Sequence, residues 1–239
     1  MTTPLFLDDA YQRSASAQVI GHTPEGGIIL DQSIFYPAGG GQPGDSGMLE
    51  WGAGGIQIGA TVKGHSGEII LVPAAPEPLP PIGQRLEQHL DWERRHKLMR
   101  VHTALHLLSV AVPFGVTGGS ISATHGRLDF DMPDAPQDKL ALSDALNAMI
   151  SRDIVVSQRW ISLAELDANP AMVKTMAVKP PRTSDRIRLV EIGQGEDQID
   201  TQPCGGTHVA RLGEIGGVTI GKIEKKGRMN RRVYLHLDP

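Results

Sequence analysis

The sequence predicts an α+β protein in two parts, and three observations carry that reading. Short β-rich runs crowd the first 90 residues, a proline-rich stretch interrupts them, and amphipathic helices mixed with strands follow from Asp91 onward. The β-rich runs fall at residues 18–20, 27–30, 33–35, 48–51, 56–62 and 68–72, with Gly, Pro, Asp and Ser between them. Many short strands at such close spacing suggest a small barrel or sandwich. The stretch from Pro73 to Pro81 contains five prolines. Proline fixes φ and removes a donor, so this stretch is either a linker or a stiff loop. Residues 85–90 are expected to form the last strand of the first part, which puts the boundary between 1–90 and 91–239.

The second part opens with Asp91 as the cap of a helix from Trp92 to about Val112. Leu98, Val101, Leu105, Leu108 and Val112 recur at steps of three and four, forming one apolar stripe. A second amphipathic helix is expected over 137–152, and Ser162-Leu-Ala-Glu165 is a capping box that opens a third. Strands are expected at 127–131, 154–160, 186–192, 218–222 and 232–237, and residues 114–120 read as a loop.

Composition sets the class. Hydrophobic residues make up 40% and charged residues 21%, as in an ordinary globular protein. A formal charge of −4 excludes a protein that coats nucleic acid through its overall field, so any such contact must be a local basic patch. One cysteine, Cys204, rules out an internal disulfide and fits a reducing cytoplasm. The start shows no basic region followed by an apolar one, and no apolar run approaches the ~20 residues of a membrane span. A cytoplasmic protein with no membrane partner is expected.

Two motifs carry chemistry. In His102-Thr-Ala-Leu-His106, residues four apart on a helix lie on nearly the same face, so two imidazoles can reach one ion. Taken alone, such a pair is more often two unrelated histidines near a core. The second motif, Gln202-Pro-Cys-Gly-Gly-Thr-His208, changes the balance. It places the one cysteine four residues before another histidine, with glycines that allow a tight turn. Cys and His are both good zinc ligands, and His102, His106, Cys204 and His208 would complete a tetrahedral set for Zn2+. Cys204 could instead be a buried small hydrophobe, or a nucleophile paired with His208. Zinc ranks above the nucleophile because the helical pair would otherwise have no task. Four protein ligands resemble a closed structural site, whereas a catalytic zinc usually keeps one position open.

With both motifs in place, the chain resembles the AlaX family, free-standing relatives of the alanyl-tRNA synthetase editing domain. That domain is itself similar to the second N-terminal domain of threonyl-tRNA synthetase. The matching text runs from Met99-Arg-Val-His-Thr-Ala-Leu-His-Leu-Leu108 through Gly119-Ser-Ile-Ser122 and Arg127-Leu-Asp-Phe130. It continues with Asp200-Thr-Gln-Pro-Cys-Gly-Gly-Thr-His-Val209, Gly213-Glu-Ile-Gly216 and Lys222-Ile-Glu-Lys-Lys-Gly227. Gly39-Gly-Gly-Gln-Pro-Gly-Asp45 is similar to the glycine-rich motif of the longer AlaX class. The resemblance implies a small N-terminal β-barrel followed by an α+β editing domain of the threonyl/alanyl-tRNA synthetase type. It implies His102, His106, Cys204 and His208 as zinc ligands, and deacylation of seryl-tRNA(Ala), with glycyl-tRNA(Ala) as a second substrate. It also implies a threonine that reads the serine hydroxyl, for which Thr117 is the best match and Ser120 the alternative.

Other roles follow from residue chemistry. Consecutive glycines let Gly40 and Gly41 approach a ligand closely, and Gln42 offers a donor and an acceptor; the plain alternative is a hairpin loop. Backbone amides of Gly205, Gly206 or the 39–41 loop could support an oxyanion. Asp200 could orient a metal ligand, or equally cap a turn. Lys222, Lys225, Lys226, Arg228, Arg231 and Arg232 form one basic cluster, and Arg94, Arg95, Lys97 and Arg100 another. A charge run is usually a solvated face, but two clusters flanking the expected site point to contact with the phosphates of tRNA(Ala). No obligate protein partner is evident. The rival readings are a zinc-structured tRNA-binding module without hydrolysis, and an editor of another aminoacyl-tRNA.

Overall fold

A computed structural model of the chain describes residues 2–52, 54–169, 172–173 and 186–238. Its contacts divide the chain into two compact units, residues 1–96 and 97–239, so the division falls inside the first α-helix.

The first unit contains β1 (Thr3–Pro4), β2 (Ser14–His22), β3 (Ile28–Leu30), β4 (Gln32–Ser33), β5 (Gly47–Trp51), β6 (Gly54–Lys63), β7 (Ile69–Pro73) and β8 (Arg85–Leu90). Six of these close into a barrel in the order β2-β3-β7-β6-β5-β8, which decides between barrel and sandwich. Alternation along β8 places Leu86, Gln88 and Leu90 inside and Arg85, Glu87 and His89 outside. Ile28, Leu30, Ile34, Phe35, Leu49, Ile58 and Leu71 fill the interior. The strand expected at 33–35 ends at Ser33, and Phe35 enters the core from irregular chain. The proline stretch joins β7 to β8, and Pro80 O accepts from His22 Nε2 at 3.0 Å. It is therefore a stiff loop within the barrel.

The glycine-rich segment is a tight turn at this barrel. Gly39 N donates to Gln42 O and Gln42 N to Gly39 O, both at 3.0 Å. Gly40 and Gly41 have φ of 59° and 86°, which side chains seldom tolerate together. Gly44 follows where a Cβ would lie 1.9 Å from Thr61 O.

In the second unit, α1 (Trp92–Ala111) is followed by β9 (Val116–Ile121), β10 (His125–Asp131), α2 (Lys139–Ser151), β11 (Val156–Ser162) and α3 (Leu163–Ala168). Then come β12 (Arg186–Ile192), β13 (Asp200–Pro203), β14 (Val218–Lys225) and β15 (Asn230–Leu237). They form a four-stranded sheet, β14-β15-β10-β9, and a three-stranded sheet, β11-β12-β13. The segment read as a loop is strand β9: Gly118 and Gly119 hid its period, yet it pairs with β10 across a bulge. α1 rests on one face of the larger sheet, where a Cβ on Gly126 would meet Val101 at 2.7 Å and Leu105 at 2.9 Å. α2 is tied to β14 by Asn147, whose amide both donates to Val218 O and accepts from Val218 N. The Ser162 side chain caps α3 by accepting from Glu165 N. No helix among the described residues is long and apolar enough to cross a membrane.

Candidate metal centre

His102 and His106 project from α1, both 7% exposed. The apolar stripe turns Val101 and Leu105 toward the sheet, and the histidines lie about 100° further round the helix. Cys204 and His208 come from the loop after β13. Each of the four residues offers a ligand atom, and these atoms lie within 4.8 Å of one another. Cys204 Sγ is 3.5 Å from His102 Nε2 and 3.3 Å from His208 Nε2. Zinc bonds of ~2.3 Å to sulfur and ~2.0–2.1 Å to nitrogen put tetrahedral S and N donors about 3.5 Å apart. The donor set and its spacing therefore fit a metal ion of the zinc type, and the group could hold one.

Charge within the cluster suits a cation. Burial pushes the Cys204 thiol up, but His102 and His208 beside it and hydrogen bonds from His102 and His106 win, holding it well below its ordinary value. These neighbours favour the thiolate, the form in which sulfur binds a metal. Burial and the neighbouring His102 hold His208 well below the usual imidazole range, so it is neutral. Burial also acts to lower His106, but the hydrogen bond to Asp200 and then that to Cys204 outweigh it and raise it to about 9. A metal entering here must displace that proton.

The surroundings hold the cluster in shape. Asp200 Oδ2 lies 3.2 Å from His106 Nδ1 and accepts from Gln202 Nε2 at 2.7 Å. Thr103 Oγ1 lies 3.1 Å from His208 Nδ1. Arg188, 8% exposed, donates through Nη1 to Cys204 O at 2.9 Å and Gly206 O at 2.8 Å, gripping the loop on both sides of Gly205. Gly206 N points at Cys204 Sγ at 3.4 Å, so that amide serves the sulfur and not an oxyanion. Gly205 is exposed, with nothing within 4 Å of where a Cβ would be. Sequence reasoning missed Thr103, Gln202 and Arg188. The first two lie inside the quoted motifs, whereas nothing near Arg188 marks it.

Residues 187–234 match the family of the threonyl and alanyl tRNA synthetase second additional domain, and residues 7–94 match tRNA synthetases class II (A). The chain is 32% identical to alanyl-tRNA editing protein AlaX-M of Methanosarcina acetivorans over 99% of both chains. It is 33% identical to AlaX-M of Saccharolobus solfataricus over the whole of both. The chain belongs to the AlaX family. It is also 33% identical to alanine–tRNA ligase of Pyrobaculum arsenaticum, over 94% of this chain but 25% of the ligase.

Thr117 and Ser120 lie on strand β9. Ser120 pairs with Arg127, and Arg127 with Tyr234, so all three side chains share the sheet face opposite Gly126 and α1. The Thr117 hydroxyl donates to Asp129 O and accepts from Asn230 Nδ2. Ser120 thus faces away from α1, while Thr117 sits in the bulge where β9 shifts register against β10. Gln42 is 2% exposed, while Gly40 and Gly41 form the exposed tip of their turn.

The basic clusters divide likewise. Arg95 is fully buried and is not a phosphate contact: its guanidinium holds the Asp45 carboxylate, Ala10 O and Ile34 O. Arg94 is half-buried and donates to Gly44 O at 2.8 Å, and Arg100 Nε donates to Ile215 O at 2.8 Å. Arg231, 7% exposed, is corrected for the same reason, since it binds the carbonyls of Pro133 and Gly227. Arg232 pairs with Asp129 through two bonds of 2.8 and 2.9 Å. Lys222, Lys225, Lys226 and Arg228 are exposed at the β14–β15 hairpin, with Lys222 and Lys226 flanking Glu224 at 2.7 and 2.9 Å.

Proposed function

We propose that this AlaX chain is a free-standing aminoacyl-tRNA deacylase. It hydrolyses the ester of tRNA(Ala) wrongly carrying serine, and also glycine, with Zn2+ held by His102, His106, Cys204 and His208. It works in the cytoplasm, without a membrane or an obligate protein partner. The observation that carries the reading is the meeting of three imidazoles and one cysteine sulfur, from segments about a hundred residues apart, within 4.8 Å. Family membership supports alanyl-tRNA as the setting. A pocket built for alanine cannot strongly reject serine, which merely adds a hydroxyl, so a second, hydrolytic site has a clear use.

Zinc, when bound, supplies a Lewis acid that can hold a polar group of the substrate. The chain's own residues do the rest. Asp200 fixes His106, Arg188 fixes the loop, and the exposed amide of Gly205 is the better candidate to face a developing oxyanion. The exposed cations Lys222, Lys225, Lys226 and Arg228 would meet tRNA phosphates. Four protein donors also suit a closed, structural zinc, and this favours a second reading in which the protein binds tRNA without hydrolysis. Incubation with seryl-tRNA(Ala) and seryl-tRNA(Thr), read as free serine, separates the readings. Release from the first alone is expected; release from neither would leave the binding module.

A further inference from the structure

We propose that Thr103 is a positioning residue that fixes the tautomer of His208, so that Nε2 is the nitrogen offered to the metal. The inference rests on the zinc reading above. Thr103 stands between the two helical histidines and is fully buried. A hydroxyl has one hydrogen to give. That of Thr103 goes to Met99 O, one helical turn back, at 2.9 Å. Toward every other neighbour Oγ1 is only an acceptor. Val209 N donates to it at 3.3 Å. His208 Nδ1, at 3.1 Å, must then carry the proton it donates. A neutral imidazole holds one ring hydrogen, so the lone pair of His208 sits on Nε2, the atom 3.3 Å from Cys204 Sγ.

A threonine bonded back to its own helix is ordinary packing. Here the same oxygen also accepts from a residue 105 positions away in the opposite segment. His106 is held the same way from behind, by the acceptor-only carboxylate of Asp200 at 3.2 Å. Both imidazoles thus have an oxygen behind Nδ1, the arrangement that orients metal-binding histidines. Without Thr103, the His208 ring could turn and carry its proton on the side of the sulfur.

The test is ring-nitrogen NMR of the zinc-loaded full chain, with zinc affinity measured by chelator competition. His208 is expected to show a protonated Nδ1 and a metal-bound Nε2. Thr103→Val keeps the shape without the hydroxyl and should weaken zinc binding by roughly 10–100-fold, while Thr103→Ser should stay within about threefold of the parent. A His208 bound through Nδ1 would overturn the proposal. So would a Thr103→Val protein that binds zinc as tightly as the parent with its tautomer unchanged, even if it melted earlier. Should Thr103→Val not fold, the spectrum of the parent decides alone. Absence of deacylation beside the expected spectrum would count against the enzyme reading and leave this one standing.

Discussion

The buried pair of the barrel and the buried cluster of the second unit are both polar, and they are built on opposite rules. In the first, Arg95 and Asp45 are 0% and 1% exposed at their side chains, and donors meet acceptors throughout. Each guanidinium nitrogen has an oxygen, and Asp45 also accepts from Tyr36 N at 2.6 Å. In the second, Asp200 and Thr103 meet the outer nitrogens of His106 and His208. The inner atoms of His102, His106, Cys204 and His208 point at one another. Burial that completes itself stabilises a fold. Burial that gathers like-natured electron-pair donors around one point serves a guest.

Substitutions should separate the two rules. The largest effect is expected in the barrel. Asp45→Ala strands a buried guanidinium and should destabilise the protein by about 3–5 kcal/mol in chemical denaturation; a loss below ~1 kcal/mol would erase the contrast. Next is Asp200→Asn, which should leave folding almost unchanged yet weaken zinc binding by roughly 10–100-fold. His106 is raised to about 9, chiefly by Asp200 against the effect of burial. Zinc binding at pH 7 should therefore release a proton from the parent, and fewer from the variant, in calorimetry across buffers of different ionisation enthalpy.

A smaller effect is expected on the sheet face. Burial acts to raise the Asp129 carboxyl, but Arg232 and Arg127 hold it below its ordinary value. A depressed carboxylate stabilises the fold above its unfolded pKa of about 3.9, and that contribution disappears as pH falls through the lower folded value. Asp129→Asn should cost about 1–2 kcal/mol at pH 7. The difference from the parent should close below about pH 4, and a gap independent of pH would show that charge is not its source. The smallest effect is for Lys225→Ala, which should lower tRNA affinity by less than about 1 kcal/mol and reduce the salt slope by about one. An unchanged slope removes Lys225 from the phosphate contacts.

Much of this was legible in the residues themselves. The strands of the barrel announced themselves through β-branched runs between turn residues, and Asp91 and Ser162 marked their helices by capping chemistry. The helical pair and the Cys-Gly-Gly-Thr-His loop identified the cluster because ligand types at metal spacing are rare by accident. What failed was anything that depends on tertiary surroundings. Arg95 and Arg231 look like members of exposed basic runs, and only packing shows that they are internal fasteners. The segment holding Thr117 and Ser120 read as a loop because two glycines hid a strand, and a strand's register decides which face a side chain takes. Arg188 gave no sign at all, since its partners are the Gln158 side chain on β11 and the carbonyls of a loop 16 and 18 residues ahead.

The ring of strands in the first unit has a further implication for how that unit meets other molecules. Each of its six staves has a bonded neighbour on either side, so the ring itself has no edge strand, and the short β1–β4 pair stands outside it. What the ring offers another molecule is a wall of side chains and the turns at its rim, among them the exposed Gly40-Gly41 tip.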